Sequence, residues 1–450
     1  MKRVLICLSA ALLAAALPLC GCGVARPGRE VMARSAASLP EASSAGAEES
    51  ASAPRPQQSS AAAAESAAQA SSRAEPAQPA PAKPSADESD SPAAARARVV
   101  LDNMTQEEKV GQLFLIRPEA LDPDLTPQQV HHTTDYGVTA LDDRMRDTLA
   151  RYQVGGIVLF GKNVADPDQL TALTADLQAA SKLPLLMGVD EEGGQVARIA
   201  NSANFQVTRY KSMEAVGATG DPKKAWAVGS TIGAYLRQYG FNLDFAPVAD
   251  LNTNPQNRVI GNRAFGSNPQ LAAKMVVAEL KGLHQAGVAG CVKHFPGHGD
   301  TKGDTHQGAV TVTKTWEQLQ QAELIPFEAA LPTTDLVMVA HITTPNITDD
   351  GLPASLSRQM IQGRLRDGLG YQGVVVTDSL AMGAIADNYT SGEAAVRALN
   401  AGADLLLMPR DFAAAYQGVW NALRDGTVSQ QRLDASVLRI LTLKARLGLL

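Results

Sequence analysis

Short apolar runs separated by amphipathic helical stretches constrain this chain more than any other feature. The runs are Gly156–Phe160, Leu183–Val189, Leu243–Val248, Ala286–Val292, Leu336–Ala340, Gly373–Thr377 and Asp404–Met408. Helical segments such as 222–239, 268–286 and 391–401 lie between them. Strands that are apolar on both faces and alternate with helices form parallel sheets, buried on both sides. A doubly wound sheet and a (β/α)8 barrel both meet that requirement. The number of units favours the barrel. The first strand–helix turn carries no Gly-rich phosphate fingerprint, which weighs against a dinucleotide fold. The expected fold class is therefore α/β, a single (β/α)8 TIM-type barrel over residues 98–450. It opens on a helix whose Thr105 and Glu108 have capping-box spacing.

The chain before the barrel has a different composition. Lys2 and Arg3 precede an apolar run, Val4 to Leu19, of signal-peptide length. Leu19-Cys20-Gly21-Cys22 resembles a bacterial lipobox, which implies a signal peptide over 1–21 and lipidation of Cys22. Residues 22–97 are rich in Ala, Ser, Pro, Glu and Gln, and the first aromatic residue of the chain is Phe114. Such a segment cannot bury enough apolar area to offset its ordering entropy and reads as a disordered tether. The expected location is the extracytoplasmic face of the cell membrane, held by the lipid. Of the four cysteines, Cys7 and Cys20 leave with the signal and Cys22 is acylated, so Cys291 has no disulfide partner. Cys291 sits in an apolar run and reads as a small core residue. The net charge of −6, with no basic stripe, argues against nucleic-acid binding.

Nearly every strand ends in polar residues: Asp190-Glu191-Glu192, Asp250 with Arg263, His341, Asp378-Ser379 and Arg410-Asp411. In a barrel these ends converge on the face where active sites lie. The densest cluster is Lys293-His294-Phe295-Pro296-Gly297-His298-Gly299-Asp300, continuing to Asp304-Thr305-His306. Three of the seven histidines fall between positions 294 and 306. Its glycines and proline make it a loop. His294 and His298 have a spacing that zinc pairs use, but they lie across Pro296 and Gly297 rather than on one helix face, so no metal or other cofactor is expected. Asp378, at a strand mouth, suits a nucleophile, or equally an N-cap for the next helix. His306 with Asp304 reads as an acid/base dyad, or as a solvated loop histidine beside a turn-forming aspartate. Asp190, Arg198 and Arg263 suit polar substrate binding or surface ion pairing.

Taken in order, these residues resemble the family 3 glycoside hydrolases, in the branch of bacterial β-N-acetylglucosaminidases. The motifs are Met104-Thr105-x-x-Glu108-Lys109-Val110-Gly111-Gln112, Asp190-x-Glu192-Gly193-Gly194-x-Val196-x-Arg198 and Asp244-Phe245-Ala246-Pro247-Val248-x-Asp250. Ile260-Gly261-Asn262-Arg263-x-Phe265, the His-rich loop and Thr377-Asp378-Ser379-Leu380-x-Met382 follow. The resemblance implies a retaining glycosidase that removes β-linked N-acetylglucosamine from peptidoglycan- or chitin-derived oligosaccharides. It implies Asp378 as nucleophile, His306 as general acid/base on a mobile loop and Asp304 as its orienting partner. It also implies Asp190, Arg198, Arg263, Lys293 and His294 as the sugar-binding set. Ordinary β-glucosidases of the family take their acid from a second domain; the chain's end at Leu450 fits the single-domain branch, expected as a monomer. Gln195 departs from the pattern, standing where many members carry a basic residue. Phosphate in place of water as acceptor, and a non-catalytic wall-binding lipoprotein, are the competing expectations.

Overall fold

The computed structural model describes residues 91–132, 136–301, 303–305 and 308–450. The expected signal peptide, the expected lipidation at Cys22 and the expected tether up to residue 90 lie outside the described residues.

Eight parallel strands form one sheet: β1 Phe114–Ile116, β2 Gly156–Leu159, β3 Leu186–Val189, β4 Leu243–Asp244, β5 Ala289–Phe295, β6 Leu336–Val339, β7 Val374–Thr377 and β8 Leu406–Leu407. Their order is β7-β6-β5-β4-β3-β2-β1-β8. A bridge between Val376 and Leu405 joins the two ends, so the sheet curls into the expected barrel. Helices such as Pro167–Ala180, Pro222–Gln238 and Pro269–Gln285 connect successive strands and form the outer ring. Each of these three starts the same way. A capping side chain (Asp166, Asp221 or Asn268) accepts a backbone N–H of the first turn, and a proline follows where no donor is needed.

Phe114–Ile116 is a strand that was not among the expected apolar runs. The helix that Thr105 and Glu108 open ends at Gln112, and the next residues pair with β2 and β8. The folded domain also starts before residue 98. A helix spans Pro92–Asp102, capped by Ser91, and buries Ala94, Ala97 and Leu101. Residues 92–97 are therefore part of the fold, because alanine at helical spacing is apolar enough to pack.

The β7–β8 seam has little strand pairing, and side chains reinforce it. Asp404 Oδ2 accepts Val375 N–H at 3.0 Å, and Thr377 Oγ1 accepts Leu407 N–H at 3.1 Å. Asp404 is fully buried and meets Arg366 at 2.6 Å, with Arg432 and Arg439 beyond. Burial alone would raise its carboxyl, but these guanidiniums outweigh that and hold it at about 2. This charge lock fixes the strand that ends at Asp378.

Candidate active site

The strand ends converge as expected on one cleft of about 280 Å³, whose lining includes Asp190, Arg198, Arg263, Lys293, His294 and Asp378. Acidic and cationic side chains arrive there from the ends of three strands, β3, β4 and β5, and interlock. After β3, the chain turns through a tight hairpin, Glu191–Gly193 against Val196–Ala197. Gly193 and Gly194 take positive φ at its bend, where Cβ atoms would press on Met213 Cε (2.7 Å) and Ser212 Cα (3.0 Å). Asp190 and Glu192 face the cleft.

Lys293, at the end of β5, reaches Asp190 at 2.7 Å and Glu192 at 2.6 Å. Arg263 grips Glu192 with two bonds, of 2.8 and 2.7 Å. Its Nη2 also stands 3.4 Å from His294 Nε2. His294 Nδ1 meets Asp250 at 2.6 Å. On the other side, Arg198 Nη2 lies 3.4 Å from Asp190. The guanidiniums of Arg198 and Arg117 sit 5.4 and 4.6 Å from the centre of the Phe160 ring. The result is a continuous arc: Asp250, His294, Arg263, Glu192, Lys293, Asp190, Arg198.

Burial in this arc makes the charges mutually dependent. Desolvation would raise the Glu192 carboxyl, but Arg263 and Lys293 pull it down to about 2. Asp190 is likewise held below its ordinary value, by Lys293 and then Arg198, against the cost of burial. Lys293 is raised because Asp190 and Glu192 outweigh its desolvation. Asp250 stays low because His294 outweighs burial. The arc thus presents fixed charges and oriented donors, suited to hydroxyl and amide groups.

Asp378 stands at the end of β7, on the same cleft. Its Oδ1 accepts the N–H of Ser379 at 2.8 Å. It does not cap a helix: the next one, Gly383–Ala386, begins after Met382. His341, at the end of β6, holds the neighbouring carbonyl of Ser379 at 2.8 Å and meets Ser355 Oγ at 2.6 Å. Arg410 and Asp411 take no part in the cleft: Arg410 meets exposed Asp387 at 3.6 Å, and Asp411 caps the helix Phe412–Arg424.

The His-rich loop is more firmly seated than its glycines imply. Asp250 Oδ1 accepts His298 N–H at 2.6 Å. Asn257 donates to the His298 carbonyl at 2.8 Å, and Asn254 to the Thr301 carbonyl at 3.1 Å. These bonds seat residues 298–301 against Asp250, Asn254 and Asn257. His298 spends Nδ1 on Thr301 and Nε2 on Thr305, at 2.9 and 3.3 Å, so both ring nitrogens serve the loop. Thr305 is buried and lines the cleft, and its carbonyl accepts Ala384 N–H at 3.2 Å, just beyond Asp378. Asp304 is half-buried beside it. His306 lies outside the described residues. Cys291 is buried, and burial pushes its thiol up, as fits a core residue.

The sequence reading missed the weight of Glu192, Asp250 and Phe160. Glu192 had a usable signal, since it occupies a fixed place in the Asp-x-Glu-Gly-Gly motif. Phe160 had none beyond ending an apolar run. Gln195 is exposed at the hairpin tip, next to Val196 on the cleft wall.

The glycosyl hydrolase family 3 N-terminal domain matches residues 105–443. The chain is 36% identical over 340 residues to β-hexosaminidase A of Pseudoalteromonas piscicida, across 69% of this chain and 56% of that protein. It is 37% identical over 278 residues to the β-hexosaminidase of Stenotrophomonas maltophilia (strain R551-3), across 60% and 80%. Among solved structures it is similar to a glycoside hydrolase family 3 β-N-acetylglucosaminidase from Paenibacillus sp. str. FPU-7. That pair has a TM-score of 0.70 and 40% identity, across 77% of this chain and 63% of that one. The chain thus spans a little over half of the Pseudoalteromonas protein and less than two thirds of the Paenibacillus chain.

Proposed function

The chain belongs to glycosyl hydrolase family 3, and from that premise we propose that it is a retaining β-N-acetylglucosaminidase. It releases terminal β-linked N-acetylglucosamine from peptidoglycan- or chitin-derived oligosaccharides. The observation that supports this reading is the shared cleft, lined by Asp378 together with Asp190, Arg198, Arg263, Lys293 and His294. An exposed surface ion-pair network would not need Glu192 and Lys293 at 1% and 2% side-chain exposure. The names of the relatives supply the sugar.

In this reading Asp378 attacks the anomeric carbon while His306 gives its proton to the departing oxygen, leaving a glycosyl-aspartate. Water, deprotonated by His306, then attacks the same carbon and frees Asp378. Asp304 orients the imidazole. The arc holds the sugar hydroxyls and the 2-acetamido group. Asp378→Ala should lower turnover of a nitrophenyl N-acetyl-β-glucosaminide by roughly a thousandfold or more. Wild-type rates in that variant would end the nucleophile assignment. Release of sugar 1-phosphate that depends on added phosphate would instead identify a phosphorylase, and sugar binding without turnover a non-catalytic binder.

We also propose that the mature chain begins at Cys22, with its thiol acylated at the extracytoplasmic face of the membrane. Lys2-Arg3, the apolar run Val4–Leu19 and Leu19-Cys20-Gly21-Cys22 support this. Cys22→Ala should move the protein out of the membrane fraction; unchanged fractionation would refute the anchor.

A further inference from the structure

Glu191 lies between two residues of the arc, Asp190 and Glu192, yet points away from the cleft and is fully buried. Its carboxylate folds under its own hairpin and accepts three consecutive backbone N–H groups. Oε2 takes those of Arg198 at 2.6 Å and Ile199 at 2.9 Å, and Oε1 takes that of Ala200 at 2.8 Å. The Tyr235 hydroxyl, from helix Pro222–Gln238, donates to Oε1 at 2.9 Å. The backbone N–H of Glu191 is itself held by Asp244 Oδ1 at 3.0 Å, at the end of β4. One residue thus ties together the hairpin, a barrel strand and an outer helix.

We propose that Glu191 is a positioning residue for sugar recognition, fixing the backbone of Arg198 so that its guanidinium stands at the edge of the cleft. This rests on the glycosidase reading given above. Arg198 is only loosely held by its own side chain: its contact with Asp190 is 3.4 Å, and its Nε is buried without a hydrogen-bond partner among the described residues. Its placement therefore depends on where the main chain puts it, and the shortest bond to that main chain is the one from Glu191. The clamp also requires a carboxylate. Three of the four groups around it are backbone N–H groups, spread over both oxygens, so a neutral amide would turn its NH2 group against at least one of them and leave it unpaired in the interior. Glu191 touches neither the cleft nor the reacting atoms; it acts through Arg198.

Glu191→Gln tests this with little change in shape. The expected result is a rise in KM for a nitrophenyl N-acetyl-β-glucosaminide of about tenfold, with kcat within about threefold. Hydrogen exchange in the peptide containing 198–200 should quicken. Tyr235→Phe, which removes one of the four donors, should raise KM by about two- to threefold and serves as the readout if Glu191→Gln does not fold. A folded Glu191→Gln with a lowered melting temperature but unchanged KM would overturn the proposal and leave Glu191 a purely structural residue. Unchanged KM in Tyr235→Phe, where that is the only variant that folds, would do the same. If the wild-type enzyme turns over no such glycoside, the glycosidase reading falls instead. The clamp is then judged by exchange alone, and unchanged protection at 198–200 refutes it.

Discussion

Lys293 and Glu192 meet at 2.6 Å with almost no solvent around either side chain, and neither charge is satisfied by the other alone. Lys293 also holds Asp190, and Glu192 also holds Arg263 in a fork. Removing one member therefore leaves a buried charge short of its partner, which costs far more than the pair contributes against an apolar substitute. Lys293→Met should destabilise the fold by about 3–5 kcal/mol, besides any effect on the proposed sugar binding. A urea melt of that variant within about 1 kcal/mol of wild type would mean the arc is solvated in practice.

The same pair sets an acid limit on stability. The Glu192 carboxyl lies at about 2 in the folded protein, below its ordinary value of 4.5. The unfolded chain therefore takes up the proton first. The stabilisation is complete above about pH 4.5 and is lost as pH falls toward 2. Glu192→Gln should be less stable near neutrality, and its stability should fall less steeply over that acid range. Urea midpoints at pH 6 and pH 3 would check this; parallel losses in the two proteins would contradict it.

The proposed acid catalysis by His306 makes a prediction that depends on the leaving group. Nitrophenolate departs with little help, whereas a sugar alkoxide needs a proton. His306→Ala should slow an oligosaccharide substrate by about 10²–10⁴-fold and the nitrophenyl glycoside much less. Asp304→Asn should act in the same direction with a smaller effect, as suits an orienting partner. Equal losses on both substrates would remove His306 from the acid role.

The barrel was legible because its strands are buried on both faces, so each appears as an unbroken apolar run. β1 was not, because three apolar residues following a capped helix carry the helix's own spacing. The polar residues at the strand ends named most of the cleft, since convergence follows from the fold alone. Their pairing was not legible: Asp250 meets His294 from 44 positions away, and nothing local connects them. Nor could the sequence separate Glu191 from Glu192. Adjacent acids in an extended segment point to opposite sides, but which one meets the cleft depends on how the Gly193-Gly194 bend is placed. The packing of the His-rich loop was not legible from its composition: Gly299 is there for a close approach to Leu251.

That packing can be tested directly. A Cβ at position 299 would stand 1.7 Å from the Leu251 carbonyl oxygen, a backbone atom that cannot rotate away. Gly299→Ala should therefore displace the loop from Asp250 and Asn257, moving Thr305 relative to Asp378. The expected result is a fall in kcat/KM of at least about tenfold, larger than the fall in stability accounts for. Activity measured well below the melting temperature separates the two. A variant with full activity would show that the loop's seat does not set the catalytic geometry.

Lys444, outside the cleft lining, gives a pH dependence of the same sign as Glu192, in a higher pH window. It is fully buried on the helix Gln430–Arg446, with its Nζ donating to Gln112 Oε1 at 2.6 Å. Burial pushes its pKa down to about 7 from an ordinary 10.5. Between those values the unfolded chain binds the proton more tightly than the folded one. Stability from this group therefore rises as pH goes from about 7 toward 10.5, and is lost as pH falls through 7. Lys444→Met keeps the apolar stem and removes the proton. It should gain relative to wild type at pH 6, while near pH 10 it bears the cost of an unpaired Gln112 oxygen, about 1–3 kcal/mol. Urea melts of both proteins from pH 6 to 10 should therefore cross or converge. A constant difference across that range would mean that Lys444 stays charged inside the fold.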